Sequence, residues 1–259
     1  MERVKRIIQS VVDTVTTWEG VEAITSMEFL AEETFDSYFF ISIDIYYSKE
    51  LPDFEHRRQF FPEAIAFESS RAHFKDRFLL NDIPVRLEYK KMATYRDMME
   101  NYTEYERQYR SSGTYGLYRI NHANIHFDPD GKFKSLQKLI RSPKNEYWRF
   151  LYNIFRGTSV HFLGDLSSAA LQDDHYFFLF SSSGFLHNFI RLLFTINKRY
   201  ECSGRQVYRD VFTLNILPEN FVGRFETFLR SDGGISLEKK AEVAELLTTS
   251  VIGMEYTLD

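Results

Sequence analysis

Val4, Ile7, Ile8, Val11, Val12 and Val15 recur at spacings of three and four residues, so residues 3–17 are predicted to form a helix with one buried face. The pattern stops before Gly20, and residues 21–29 (VEAITSMEF) read as a first strand, with AEETFDS (31–37) as a polar connection. In FFISIDIYY (39–47) the period becomes two. Phe39, Ile41, Ile43, Ile45 and Tyr47 share one face, while Phe40, Ser42, Asp44 and Tyr46 share the other. Residues 72–80 and 83–90 flank Asn81-Asp82, a pair that tolerates left-handed turn conformations, which predicts a β-hairpin. Its second arm sets Ile83, Val85, Leu87 and Tyr89 against Arg86, Glu88 and Lys90. If these two strands are neighbours, Asp44 and Glu88 converge.

Between these strands, residues 52–70 read as helical or irregular, and ATYRDMMENYTEYERQYR (93–110) as a charged, tyrosine-rich helix. YGLYRI (115–120) and ANIHF (123–127) look strand-like, and DPDG (128–131) makes a turn. Beyond Pro143 strand signals nearly vanish. NEYWRFLYNIFRG, LSSAALQDDHYFFLF, GFLHNFIRLLFTINKRY, PENFVGRFETFLRS and SLEKKAEVAELLTTSVIGMEYTL all suit helices separated by Gly, Ser and Pro. The expected class is therefore α+β, with a mixed-sheet domain over 1–142 and an all-helical bundle domain over 143–259.

Composition narrows the function classes. With 25 Phe and 16 Tyr against six Pro in 259 residues, the chain is an ordered globular one. A net charge of −5 with both signs interspersed provides no general field for nucleic acid or an anionic membrane. No basic track interleaved with stacking aromatics is evident either, so no nucleic-acid partner is expected. The single cysteine, Cys202, excludes an internal disulfide and a zinc site built on several thiolates, in accord with a cytoplasmic location. The first residues, MERVKRIIQSVVDTV, lack the apolar core of a secretion signal. The most apolar stretch, 176–196, is interrupted by three serines, His187, Asn188 and Arg191, which suits a buried helix pair better than a membrane span.

The order of helix, strand, polar connection, acid-bearing strand, acid-bearing hairpin and helical C-terminal half resembles the nucleotidyltransferase superfamily that includes polymerase beta and aminoglycoside nucleotidyltransferases. DSYFFISIDIYY (36–47) is similar to the family strand whose two acids alternate with apolar residues. IPVRLEYKK (83–91) is similar to the strand bearing a third acid, and ANIHFDPDGKF (123–133) to a later strand and turn. The segment 192–221 looks like the helical tail of bacterial proteins of this superfamily.

The resemblance implies a nucleoside triphosphate such as ATP, Mg²⁺ or Mn²⁺ to neutralise it, and transfer of a nucleoside monophosphate to a hydroxyl of a small-molecule acceptor. Position by position, Asp44 matches the second acid and Glu88 the third, so these two would hold the metal. Ser42 stands where the first acid belongs, with Asp36, Glu32 and Glu33 near enough in sequence to replace it. Arg86, Lys90 or Lys75 would steady phosphate. The glycine-serine phosphate turn after the first strand is also altered: ITSMEFLAEE offers only Thr25-Ser26 and no glycine. The first reading is a nucleotidyltransferase, and the alternative is a non-catalytic module that binds a nucleotide, another small ligand or a protein. The missing charge at Ser42 favours the second.

Taken alone, Asp44 could equally cap a turn or meet an arginine, and Glu88 beside Arg86 and Lys90 could be one rung of a charge ladder. His122 and His126 lack an evident third ligand. Asp173-Asp174 could be a helix cap or, by the resemblance, the base that some relatives take from a helical domain. The cluster NKRYECSGR (197–205) suits a helix C-terminus better than a phosphate site, and no oriented base can be named for Ser203 or Cys202.

Overall fold

The computed structural model describes residues 2–27, 35–70, 72, 74–231 and 233–254. Two compact units result, residues 1–100 with 119–142 and residues 101–118 with 143–259. The division is thus not a single cut near residue 142. Residues 101–118 join the helical unit because their tyrosines pack there: Tyr102 meets the rings of Tyr147 and Phe150 at 5.5 and 5.2 Å, and Tyr109 meets both at 6.0 Å.

The first unit opens with α1 (Glu2–Val15), β1 (Val21–Met27), β2 (Ile41–Tyr47) and α2 (Phe54–Gln59). It continues through β3 (Ile65–Ser69), β4 (Lys75–Leu80), β5 (Ile83–Lys90) and α3 (Met92–Glu100). A 3₁₀ turn (Tyr102–Tyr105) and α4 (Glu106–Ser112) belong to the second unit, and α5 (Tyr115–Asn121) spans the division. The first unit then closes with β6 (Ala123–Phe127) and α6 (Lys132–Arg141). The sheet order is β3-β4-β5-β2-β1-β6. Among the described strands, β2 and β5 pair in parallel and the other neighbours pair antiparallel.

Strand alternation sorts the sheet into two faces. Ile41, Ile43 and Ile45 join Ile24, Val85 and Leu87 in a core capped by Val4, Ile7, Ile8, Val11, Val12 and Val15 of α1. On the opposite face Tyr46 packs on Phe133 of α6 at 4.9 Å and on Tyr95 of α3 at 6.5 Å. Asn81 and Asp82 take φ of 51° and 59°, the left-handed pair that a two-residue hairpin between β4 and β5 requires.

Several expectations are corrected. YGLYRI forms helix α5, because Leu117 and Ile120 are buried at helical spacing, which a short apolar run cannot distinguish from a strand. Residues 65–69 form an edge strand whose half-exposed pattern carries no clear period, and residues 93–110 break into α3, the 3₁₀ turn and α4. Helix α6, not anticipated, follows the DPDG turn; Asp128 caps it by accepting the N–H groups of Phe133 and Lys134 at 3.0 Å each.

The second unit contains α7 (Asn145–Leu171), α8 (His175–Ile196), α9 (Val207–Val211), α10 (Phe221–Leu229) and α11 (Leu237–Ile252). The break between α7 and α8 falls at residues 172–174, where Asp174 caps α8 by accepting the Phe177 N–H at 3.0 Å. Gly184 lets the two helices approach closely: a Cβ there would lie 2.4 Å from the Phe162 ring. Phe185, Phe189, Phe221, Phe225 and Phe228 fill the interior. Among the described residues, His175–Ile196 is the one helix long and apolar enough to cross a membrane, and 56% of its apolar window is buried within the protein.

Candidate functional site

The parallel pairing of β2 with β5 sets Asp44 opposite Glu88, Ser42 opposite Arg86 and Tyr46 opposite Lys90. On the far side of β5, Lys75 of β4 faces Glu88. One line across three strands therefore carries Asp44, Glu88 and Lys75 on the face opposite α1. The convergence expected from strand parity follows from this register.

Sequence inspection did not identify Arg119, which lies near the end of α5. Its guanidinium grips Asp44 bidentately, Nε donating to Oδ2 at 2.9 Å and Nη2 to Oδ1 at 2.7 Å, and Nη2 also donates to the Ser42 hydroxyl at 2.9 Å. Arg119 is 3% exposed and Asp44 2%. Helix α6 secures this arginine by binding the carbonyls at the α5 terminus. Gln137 donates to Ile120 O at 3.0 Å, and Arg141 Nη2 to Asn121 O at 2.9 Å. The available signal was the basic residue at position five of YGLYRI, and reading that segment as a strand concealed it.

Lys90 supplies the next cation. Its Nζ lies 2.9 Å from Asp44 Oδ1 and 3.2 Å from Glu88 Oε2, bridging the two acids. Glu88 also has Arg86 Nε at 3.1 Å and Lys75 Nζ at 3.3 Å. Arg86 is steadied by stacking 4.0 Å over the Phe40 ring and lies 3.4 Å from the Ser42 hydroxyl. Burial alone would raise the Glu88 pKa, but Lys90, Arg119, Arg86 and Lys75 together outweigh it and hold the carboxyl at about 2. Burial likewise opposes charge on Lys90, whose pKa nevertheless stays above its ordinary value because Asp44 faces it.

Among the described residues, four cations thus face two carboxylates. The described donors do not fit a divalent metal. Mg²⁺ or Mn²⁺ needs several free oxygen ligands, whereas Asp44, Glu88 and Ser42 are already engaged by guanidinium and ammonium groups. At an effective dielectric of about 20, a dication about 4 Å from one ammonium is repelled by roughly 8 kcal/mol. Among the described residues no group of three His, Cys, Asp or Glu side chains has metal-binding geometry.

Asp36, considered as the replacement acid, is exposed and accepts the Tyr38 N–H at 2.9 Å, a local turn contact. Glu32 and Glu33, the other two considered, lie outside the described residues. Elsewhere, His126 Nε2 lies 2.8 Å from Ser26 Oγ. Asp173 pairs with His175 at 3.4 Å. Lys198 donates to Asn145 Oδ1 at 3.1 Å, and Arg199 Nη1 to Thr213 Oγ1 at 3.2 Å, contacts that tie down the 197–205 segment. Cys202 is buried, and burial together with Asp210 pushes its thiol up to about 12, which makes it inert.

Comparison with solved structures shows a nucleotidyltransferase-like fold. The chain is similar to a nucleotidyltransferase-like protein from Exiguobacterium sibiricum 255-15, with a TM-score of 0.50 and 12% identity over 96% of this chain and 72% of that one. An aminoglycoside 6-adenyltransferase from Bacillus subtilis also matches, at TM-score 0.33 and 11% identity over 96% of this chain and 87% of that one. No family model and no curated protein matches the sequence.

Proposed function

We propose that this protein is a non-catalytic member of the nucleotidyltransferase-like fold that binds the phosphate groups of a nucleotide or similar small ligand without a divalent metal. The observation that carries this reading is the position of the two buried cations. Lys90 bridges Asp44 and Glu88, and Arg119 bridges Asp44 and Ser42, so each stands between two of the three positions that the resemblance assigns to metal-binding acids. The charge that metal brings to other sites is covalently built into this one, and a cluster in which the described residues set four cations against two carboxylates favours an anion.

Lys75 and Arg86, on the rim of the cluster with side-chain exposures of 31% and 20%, are the groups a phosphate meets first. Transfer chemistry is disfavoured because, among the described residues, the carboxylates of the cluster are engaged by cations and none is left to position an attacking hydroxyl. Calorimetry with ATP decides the matter. Binding in EDTA that Mg²⁺ weakens, by competing for the phosphate oxygens, is the expected result. Mg²⁺-dependent binding with pyrophosphate release to an aminoglycoside or another hydroxyl acceptor would overturn it.

A further inference from the structure

The two acids of the cluster are held differently. Asp44 is 2% exposed and gripped through both oxygens by Arg119, so it cannot leave without abandoning a buried guanidinium. Glu88, with a side chain 17% exposed, is surrounded by three cations: Arg86 Nε at 3.1 Å, Lys90 Nζ at 3.2 Å and Lys75 Nζ at 3.3 Å. Glu88 shares Lys90 with Asp44, and it is the carboxylate that also faces Arg86 and Lys75.

We propose that Glu88 is a placeholder, an internal anion that occupies a phosphate seat formed by Lys75, Arg86 and Lys90 and rotates out when the terminal phosphate of a ligand enters. Two members of the seat keep their places when Glu88 leaves, because they have other supports. Arg86 is stacked on Phe40 and lies beside the Ser42 hydroxyl, and Lys90 keeps Asp44. A phosphate terminus brings up to two charges and three acceptor oxygens, which match three cations better than a carboxylate does. Entry is from the Lys75 side, where exposure is greatest at 31%. Glu88 therefore acts as an autoinhibitory ligand mimic, and its role is the reverse of a metal-holding acid: removing its charge strengthens ligand binding.

This inference rests on the metal-free reading above, and the test separates the two. Inorganic pyrophosphate is titrated calorimetrically, in EDTA, into the parent protein and into Glu88→Gln. Binding by the variant about tenfold tighter than by the parent is expected, since a competing internal charge is gone. A folded variant that binds equally or more weakly overturns the placeholder, while chelator-insensitive binding by the parent leaves the metal-free reading standing. Failure of both proteins to bind pyrophosphate overturns both proposals. Should Glu88→Gln not fold, Lys75→Gln in the parent background decides: weaker pyrophosphate binding supports the seat, and unchanged binding removes it.

Discussion

Arg119 holds Asp44 through both carboxylate oxygens, at 2.7 and 2.9 Å, across 75 residues of chain and in a site almost closed to water. Such a pair is costly to break from one side, because the surviving charge stays buried. Arg119→Met should lower unfolding free energy by less than about 3–5 kcal/mol, the cost of a fully orphaned buried charge, because Lys90 still faces Asp44 at 2.9 Å. Combining it with Asp44→Asn should recover part of that loss, leaving the double variant more stable than additivity predicts. Urea denaturation of the four proteins in the cycle measures the coupling.

Acid stability should report on Glu88. Its folded pKa of about 2 lies below the ordinary 4.5, so its contribution is fully present above pH 4.5 and is lost as pH falls toward 2. The stabilisation at neutral pH is at most about 3 kcal/mol. Thermal melts from pH 7 to pH 2.5 should show a shallower acid decline in Glu88→Gln than in the parent.

The opposite sign applies to Glu201 in the helical unit. Burial pushes this carboxyl up to about 7 even though Arg191 Nε lies 2.9 Å away and opposes the shift. The native state therefore retains a proton that the unfolded chain releases near 4.5, and the associated stability declines as pH rises from 4.5 through 7. Replacing Glu201 with Gln should flatten that stretch of the stability profile, measured by chemical denaturation at successive pH values.

Gly113 makes this buried pair possible. Its φ of 61° and ψ of −146° fall in a region that is essentially restricted to glycine, and a Cβ would lie 2.1 Å from Glu201 Oε1 and 2.6 Å from Arg191 Nε. Gly113→Ala should destabilise the protein by about 2 kcal/mol or more, seen as a lower Tm.

Much of this architecture was legible in the one-dimensional pattern. The spacing of Val4, Ile7, Ile8, Val11, Val12 and Val15 marked α1, and the alternation in FFISIDIYY placed Ser42 and Asp44 on one face. Asn81-Asp82 marked the hairpin that delivers Glu88. Segments whose burial depends on distant neighbours were not legible: α5 looked like a strand, and the edge strand β3 showed no period.

The sequence by itself determined which acids share a face, because side-chain direction in a strand is a local property with a period of two. Only the tertiary structure decided which groups those acids face. Arg119 reaches Asp44 from helix α5, 75 residues along the chain, and Lys75 reaches Glu88 from the neighbouring strand β4. Charge neutralisation depends on distance in space and not on separation along the chain, so the cations that face Asp44 and Glu88 became legible only once the strands and helix α5 were in place.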